Sequence, residues 1–425
     1  MPARIIPVSS GKGGVGKTTV ATNFALSLSR YAPTILVDLD TGTSSVRNTI
    51  DAHVTNDLYH FFKKGKKLIE CVTRLPDSLD KEGLYKQFGF VAGPLHLIEE
   101  ITNFNQARKQ MLSEAINTLP ATYIVLDLKA GVDHNVIDFL PYSNSGILVF
   151  TPYHPSATLA ASDIVKAILF RKLRVIFSPG SPFYARAANP ESATRMINDL
   201  LDRVEDVYDP ILPNLDAFLV DLMASLGPHP VLEAVSSAVE YFRVYYVLNN
   251  FNGVVDAFDS AVKPFIENLV STVSERLVVA NLGWVVKSDA IHRGNCEKRP
   301  ILLQPKSVQA LMAKQSQAET ELDHIVRSTL GLKTEKKKTP ILPKNRTPNA
   351  DDALSHQLDT LRKMFDRRGS EGDDPRDNFE YITDRAMHLL NQARPSEFGM
   401  PRIAGSEEIL RTFFPKSGAT PAAMA

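Results

Sequence analysis

Sulfur ligands are scarce in this chain. Its 425 residues include only two cysteines, Cys71 and Cys296, far apart and each without a neighbouring thiol. That excludes a disulfide scaffold and an iron–sulfur or cysteine-ligated zinc site, and it fits a reducing compartment. His154, His292 and Cys296 share no ligand spacing either. An excess of charge is also missing: 48 basic residues face 48 acidic ones. No global field therefore draws the chain to nucleic acid or anionic lipid, and any such attraction must come from a local patch. Apolar runs are short, and none approaches the roughly 20 residues that a bilayer-spanning helix needs. The N-terminus runs straight into an apolar strand, leaving no room for a cleavable leader. The expectation is a cytoplasmic protein, with peripheral attachment at the inner face of the membrane as an alternative.

What the chain does have is Gly11-Lys12-Gly13-Gly14-Val15-Gly16-Lys17-Thr18-Thr19, which satisfies G-x-x-x-x-G-K-[ST]. Glycines in such a loop let successive backbone N–H groups curl around phosphates. Lys17 is then expected to reach those phosphates, and Thr18 to place its hydroxyl on Mg²⁺. The context is right, because an apolar strand (Ile5 to Val8) precedes the loop and a helical pattern (Thr18 to Tyr31) follows it. The phosphate cradle is therefore read as Gly11, Gly13, Gly14, Val15, Gly16, Lys17, Thr18 and Thr19, with ATP and Mg²⁺ as cofactors. Lys12 cannot easily fold back onto its own loop's phosphates and is read as a group offered across an interface.

Two apolar runs end in aspartates. Thr34 to Leu39 leads into Asp38-Leu39-Asp40, and Tyr123 to Leu128 carries Asp127 near its end. Both read as buried parallel strands whose carboxyl ends deliver charge to the phosphate site. Mg²⁺ would be held by Thr18 with help from Asp38 or Asp127, directly or through water. Asp40 lies on the same side of an extended chain as Asp38 and is the candidate to orient attacking water. Further strands are expected at Phe88 to Ala92, Gly146 to Phe150, Val244 to Leu248 and Gly283 to Val286. Helical patterns cover Asn105 to Leu119, a segment through Ile164, Ile168 and Phe170, and Ala261 to Glu275. Alternation of this kind predicts an α/β fold with a doubly wound, mostly parallel sheet flanked by helices.

The lysine pair Lys12 and Lys17 in one loop resembles the deviant Walker A loop of the MinD/ParA superfamily. Asp38-Leu39-Asp40-Thr41-Gly42 looks like the superfamily's first switch, and Asp127-Leu128-Lys129-Ala130-Gly131 like its second. Val247-Leu248-Asn249-Asn250 resembles its late strand, which implies that Asn249 contacts adenine. The resemblance covers residues 1 to about 174 and about 243 to 325, and within the superfamily it is closer to MinD and the flagellar-number regulators than to the iron–sulfur carriers. It implies a slow, partner-stimulated ATPase that forms a homodimer on binding ATP, with Lys12 reaching the partner's nucleotide and Lys12, Lys17 and Asp40 as the catalytic set. Such proteins position or regulate a cellular structure, through an unidentified protein partner. The alternatives are a ParA-like protein whose ATP dimer binds DNA nonspecifically and a metabolic or anion-transport ATPase. One departure stands out: Lys129 puts a cation where these relatives carry a small or neutral residue.

The organisation expected is an ATPase domain over 1–330 with a helical insertion at about 178–240, which seven prolines between 179 and 230 set apart and which is read as covering one edge of the sheet. A basic, proline-containing linker at 331–350 follows, where Lys333 to Arg346 holds six basic residues against the single Glu335. A short helical extension with a disordered tail completes the chain at 351–425. Within it, Glu408 to Phe414 offers one short amphipathic segment, which would hold a membrane only weakly.

Overall fold

Strands that read as continuous apolar runs need cover on both faces, and here they receive it. The computed structural model describes residues 3–40, 46–95, 105–141, 143–179, 190–206, 212–227, 230–305, 350–366 and 374–392. The first half of the chain gives β1 (Arg4–Ser9), α1 (Lys17–Ser29), β2 (Thr34–Leu39), α2 (Leu58–Lys64), β3 (Val72–Arg74), β4 (Phe88–Val91), α3 (Gln106–Asn117), β5 (Tyr123–Leu128), α4 (His134–Ile137) and β6 (Asn144–Phe150). Then come α5 (Pro155–Ile176), α6 (Pro190–Glu205), α7 (Leu215–Leu226), α8 (Pro230–Glu240), β7 (Arg243–Phe251), α9 (Val254–Ala257), α10 (Lys263–Thr272), β8 (Val278–Val286), α11 (Asp289–Cys296), α12 (Ala350–Asp366) and α13 (Pro375–Gln392).

The strands form one sheet in the order β3-β4-β2-β5-β1-β6-β7-β8, parallel throughout apart from β3, which pairs antiparallel with β4. This is the doubly wound α/β fold that the alternation predicts. The chain moves from β1 to one side for β2 and β4 and to the other for β6, β7 and β8, so the crevice at the carboxyl end of β1 is the topological switch point, where such sheets bind ligands. Every residue of β2, β5 and β6 is buried. Register places Asp38 of β2 directly beside Asp127 of β5.

Two apolar clusters cover the sheet, one on each face. One gathers β-strand side chains under α3, α5, α10 and α12, and the other packs them under α1 and α13. Helix α1 is buried at 12 of its 13 positions, so core packing holds it in place. That burial matters for function, because α1 needs no side-chain cap and has none: it starts at Gly16, and its first turn contains no acidic residue.

Two expectations change on contact with tertiary structure. The described residues between 190 and 240 are largely helical, but α6, α7 and α8 form a second layer over α5 and α10 instead of covering an edge. Leu201, Phe218, Leu222, Val235 and Val239 are buried in the same cluster as the α5 side chains. The Asn214 side-chain amide donates to the Val270 carbonyl at 3.1 Å, and the Leu215 amide to that of Val273 at 2.8 Å. A run this apolar cannot face water along an edge, so it extends the core outward.

The C-terminal helices, in turn, are integral to the sheet. Helix α12 lies on one face of β7 and β8, where Tyr246 donates to Gln357 Oε1 (2.9 Å) and Gln357 Nε2 to the Val279 carbonyl (2.9 Å). Helix α13 covers the other face through Phe379 and Ile382, and its Arg385 donates to the Asn281 carbonyl at 2.6 Å. Gly283 has φ of 145°, and a Cβ there would stand 2.8 Å from Ile382 Cγ1, so this close helix–strand approach requires glycine. The basic linker at 331–350, apart from the first residue of α12, and the 408–414 segment lie outside the described residues. Among the described residues no helix is long and apolar enough to cross a membrane.

Candidate nucleotide site

Strand β1 ends at Ser9, and the chain then turns through Gly11 to Gly16 into α1. Gly14 and Gly16 take φ of 81° and 83°, left-handed values at which a side chain is strained. A Cβ at Gly11 would stand 2.4 Å from the Ala160 backbone of α5, and one at Gly16 would stand 2.1 Å from Asn249 Nδ2. The loop is thus wedged between α5 and the end of β7, while a Cβ at Gly13 or Gly14 would meet nothing within 4 Å. The concave, open side of the loop and the uncapped N-terminus of α1 present backbone N–H groups and the positive end of the helix dipole to the same space.

Lys17 is buried, with 6% of its side chain exposed, and its Nζ lies 2.5 Å from Asp127 Oδ1 and 3.9 Å from Asp40 Oδ2. Thr18 Oγ1 donates to the other oxygen, Asp127 Oδ2, at 2.7 Å. One fully buried carboxylate therefore holds both Lys17, the lysine expected to reach phosphate, and the Thr18 hydroxyl expected on the metal. Asp38 is equally buried but faces backbone: Oδ1 accepts from the Asp40 amide (3.1 Å), and Oδ2 from Val46 (3.0 Å) and Gly93 (3.4 Å). Burial, followed by the neighbouring charge of Asp127, pushes the Asp38 carboxyl up to about 7, against the Val46 hydrogen bond and Lys17, which favour its ionised form. Of the two aspartates left open for the metal by sequence, it is Asp127 that touches Thr18, while Asp38 ties the first switch to the strand ends. Asp40 sits at the mouth of the site and is 18% exposed.

Asn249 lies at the end of β7, beneath the loop. It is 6% exposed, and its Nδ2 donates to the Val15 carbonyl at 2.7 Å, so its amide braces the loop from beneath. Parallel pairing of β7 with β6 puts its end under Val15 and Gly16, where an unpaired buried carbonyl would be costly. Two contributors escaped the sequence reading. Asn295 of α11 donates to Thr19 Oγ1 at 3.2 Å, and the Gly131 amide donates to the Ser10 carbonyl at 2.9 Å, lacing the second switch to the loop. Neither carries a motif, because each is defined only by the element that folds back onto it.

The rim of the site is exposed. Lys12 stands out into solvent, and Lys129 Nζ lies 3.3 Å from Asp133 Oδ2. Val132, Tyr153, Leu159 and Val255, which follow the carboxyl ends of β5, β6 and β7, are all exposed apolar residues, and Lys287 Nζ sits 5.3 Å from the Tyr153 ring centre. The donor set fits a triphosphate with a hard divalent cation: an open cradle of amides, a buried lysine, and a hydroxyl beside a carboxylate.

Comparison with known proteins agrees with this chemistry. Residues 3–169 match the AAA domain family. A putative septum site-determining protein MinD of Nephroselmis olivacea is 28% identical over 152 residues, 35% of this chain and 52% of that protein. The flagellum site-determining protein YlxH of Helicobacter pylori is 28% identical over 167 residues, 38% of this chain and 53% of that protein. The chain spans about half the length of the first curated relatives it matches. Among solved structures, MinD of Pyrococcus horikoshii complexed with Mg-ADP aligns with a TM-score of 0.42 at 15% identity, covering 73% of this chain and 92% of that one. Phosphate loop, both strand-end aspartates and the β1–α1 unit all lie within the matched segment, and these likenesses support a MinD/ParA superfamily assignment.

Proposed function

We propose that this protein is a magnesium-dependent ATPase acting as a dimerising switch, of the kind that places a cellular structure. The observation that carries the reading is the joint hold of Asp127 on Lys17 and Thr18 beneath an open glycine loop. In this arrangement Lys17 neutralises Asp127 and, more distantly, Asp40. Phosphate oxygens offer Lys17 a stronger set of acceptors, and its transfer to them frees one oxygen of Asp127. Thr18 and Asp127 would hold Mg²⁺, which supplies neutralisation of charge on the phosphates. Asp40, at the mouth, would orient the attacking water, and the amides of Gly13 to Thr18 would hold the phosphates in place.

Lys12 and the exposed ring of Val132, Tyr153, Leu159 and Val255 favour a face-to-face dimer over the mouth. Apolar residues clustered around a charged opening gain by being covered, and an exposed lysine beside them is placed to reach a second copy's nucleotide. The named relatives determine septum and flagellum sites, which supports a positioning role for this chain. The test is the light-scattering mass of the protein with Mg²⁺ and either ADP or ATP, for the unmodified chain and Lys12→Ala. The expected result is a dimer with ATP alone, lost in the variant; a mass that ignores the nucleotide would remove the switch and leave only an ATPase.

A further inference from the structure

Lys129 occupies the second switch in a setting that restricts what it can do. Its backbone is pinned on both sides: Asp127, two residues earlier, is held by Lys17 and Thr18, and Gly131, two residues later, donates its amide to Ser10 in the approach to the phosphate loop. Only the Lys129 side chain is left with room to move, and it is 37% exposed. Lys129 directly follows β5, two residues after Asp127, and residues two apart along a strand share one face. Across the parallel pair, Leu39 is in register with Leu128, so Lys129 follows β5 where Asp40 follows β2. It is thus the second-switch counterpart of the residue at the mouth of the site.

Its present partner is built to let go. Asp133 is 45% exposed, and an ion pair between two solvated groups four residues apart is weak. Asp133 also has a second task, since its Oδ1 accepts the Val136 amide at 3.2 Å and caps α4. The carboxylate therefore stays in place when the lysine leaves. Lys17, by contrast, is buried and paired with a fully buried carboxylate.

We infer that Lys129 determines specificity for the triphosphate over the diphosphate: its ammonium group exchanges Asp133 for the terminal phosphate, and the exchange reports on which nucleotide is bound. The inference rests on the nucleotide-binding reading above. A terminal phosphate carries more negative charge than one carboxylate, so the exchange is favoured only while that phosphate is present. Breaking the Lys129–Asp133 pair while Asp133 keeps its bond to the Val136 amide would couple the segment after β5, with exposed Val132, to the nucleotide state.

The test is isothermal titration of the full chain with ADP and with a non-hydrolysable ATP analogue, both with Mg²⁺. Lys129→Ala is expected to weaken the analogue about tenfold while leaving ADP within about twofold. Lys129→Arg should restore most of the difference. Asp133→Asn keeps the cap through its amide oxygen but releases the lysine, and should tighten the analogue severalfold without changing ADP. Equal losses for both nucleotides, or no loss for either, would overturn the assignment. Failure of the unmodified chain to bind ADP at all would remove the nucleotide reading itself and this inference with it.

Discussion

The β2–β5–β1 half of the sheet and the β6–β7–β8 half are built on opposite principles. On the first side, Asp38 and Asp127 are buried at strand ends with Lys17 of α1 buried beside them, and the Asp38 carboxyl is pushed up to about 7 by the burial and by its neighbour. On the second, aromatic rings interlock: Phe150, Tyr246 and Phe265 lie within 5.7 Å of one another, and Trp284 packs against Phe251 at 5.0 Å and Phe365 at 6.1 Å. Its one conspicuous buried charge, Lys172, donates to the Ala238 carbonyl near the end of α8 and is driven well below the usual lysine range by burial. The difference teaches where stability is made and where it is spent. Apolar packing supplies the surplus that lets the other half keep like charges side by side.

Breaking the packing half should cost most. Trp284→Ala removes the ring shared by β7, β8 and α12, and is expected to lower unfolding free energy by about 3–5 kcal/mol in a denaturant titration, with ADP affinity unchanged. A large loss of ADP affinity in that variant would mean that the halves are energetically one unit. Next in size, Lys17→Ala should weaken ADP at least about a hundredfold, roughly 3 kcal/mol, in calorimetry. Retained affinity would show that the loop amides alone bind the phosphates.

The smallest effect is a pH dependence confined to the charged half. The folded-state value for Asp38, about 7, lies above the ordinary 3.8, so the folded chain holds a proton that the unfolded chain releases. Stability from this group is complete below about pH 4 and is lost as pH rises through about 7. Unfolding free energy should therefore fall by about 2–3 kcal/mol more between pH 5 and 8 in the unmodified protein than in Asp38→Asn. The variant starts less stable, because its NH₂ group cannot accept from Val46 or Gly93, so the slope is the readout. Parallel slopes would remove the proton from Asp38.

Legibility in the sequence follows the same division. The loop from Gly11 to Thr19, the strands ending at Leu39 and Leu128, and the helices α6, α7 and α8 were open to reading, because local rules govern them: glycine at positive φ, apolar runs for doubly covered strands, apolar spacing for helices. β3 was not read, since three half-exposed residues that depend on β4 carry no period. The hydrogen bond by which the Asn249 amide holds the loop was not legible either, since it joins the end of β7 to Val15. Asn295 and the Gly131–Ser10 link were invisible, because each joins segments whose proximity no local pattern encodes.

By itself the sequence determined that a phosphate loop follows a buried strand and precedes a helix, and that two further strands end in aspartates. Those are consequences of backbone sterics and of which residues tolerate burial on two faces. Only the tertiary structure decided that Asp127 takes Lys17 and Thr18 while Asp38 takes backbone amides, and that α12 and α13 clasp the edge of the sheet. These choices depend on register between strands far apart in the chain, and register is set by how the whole core packs.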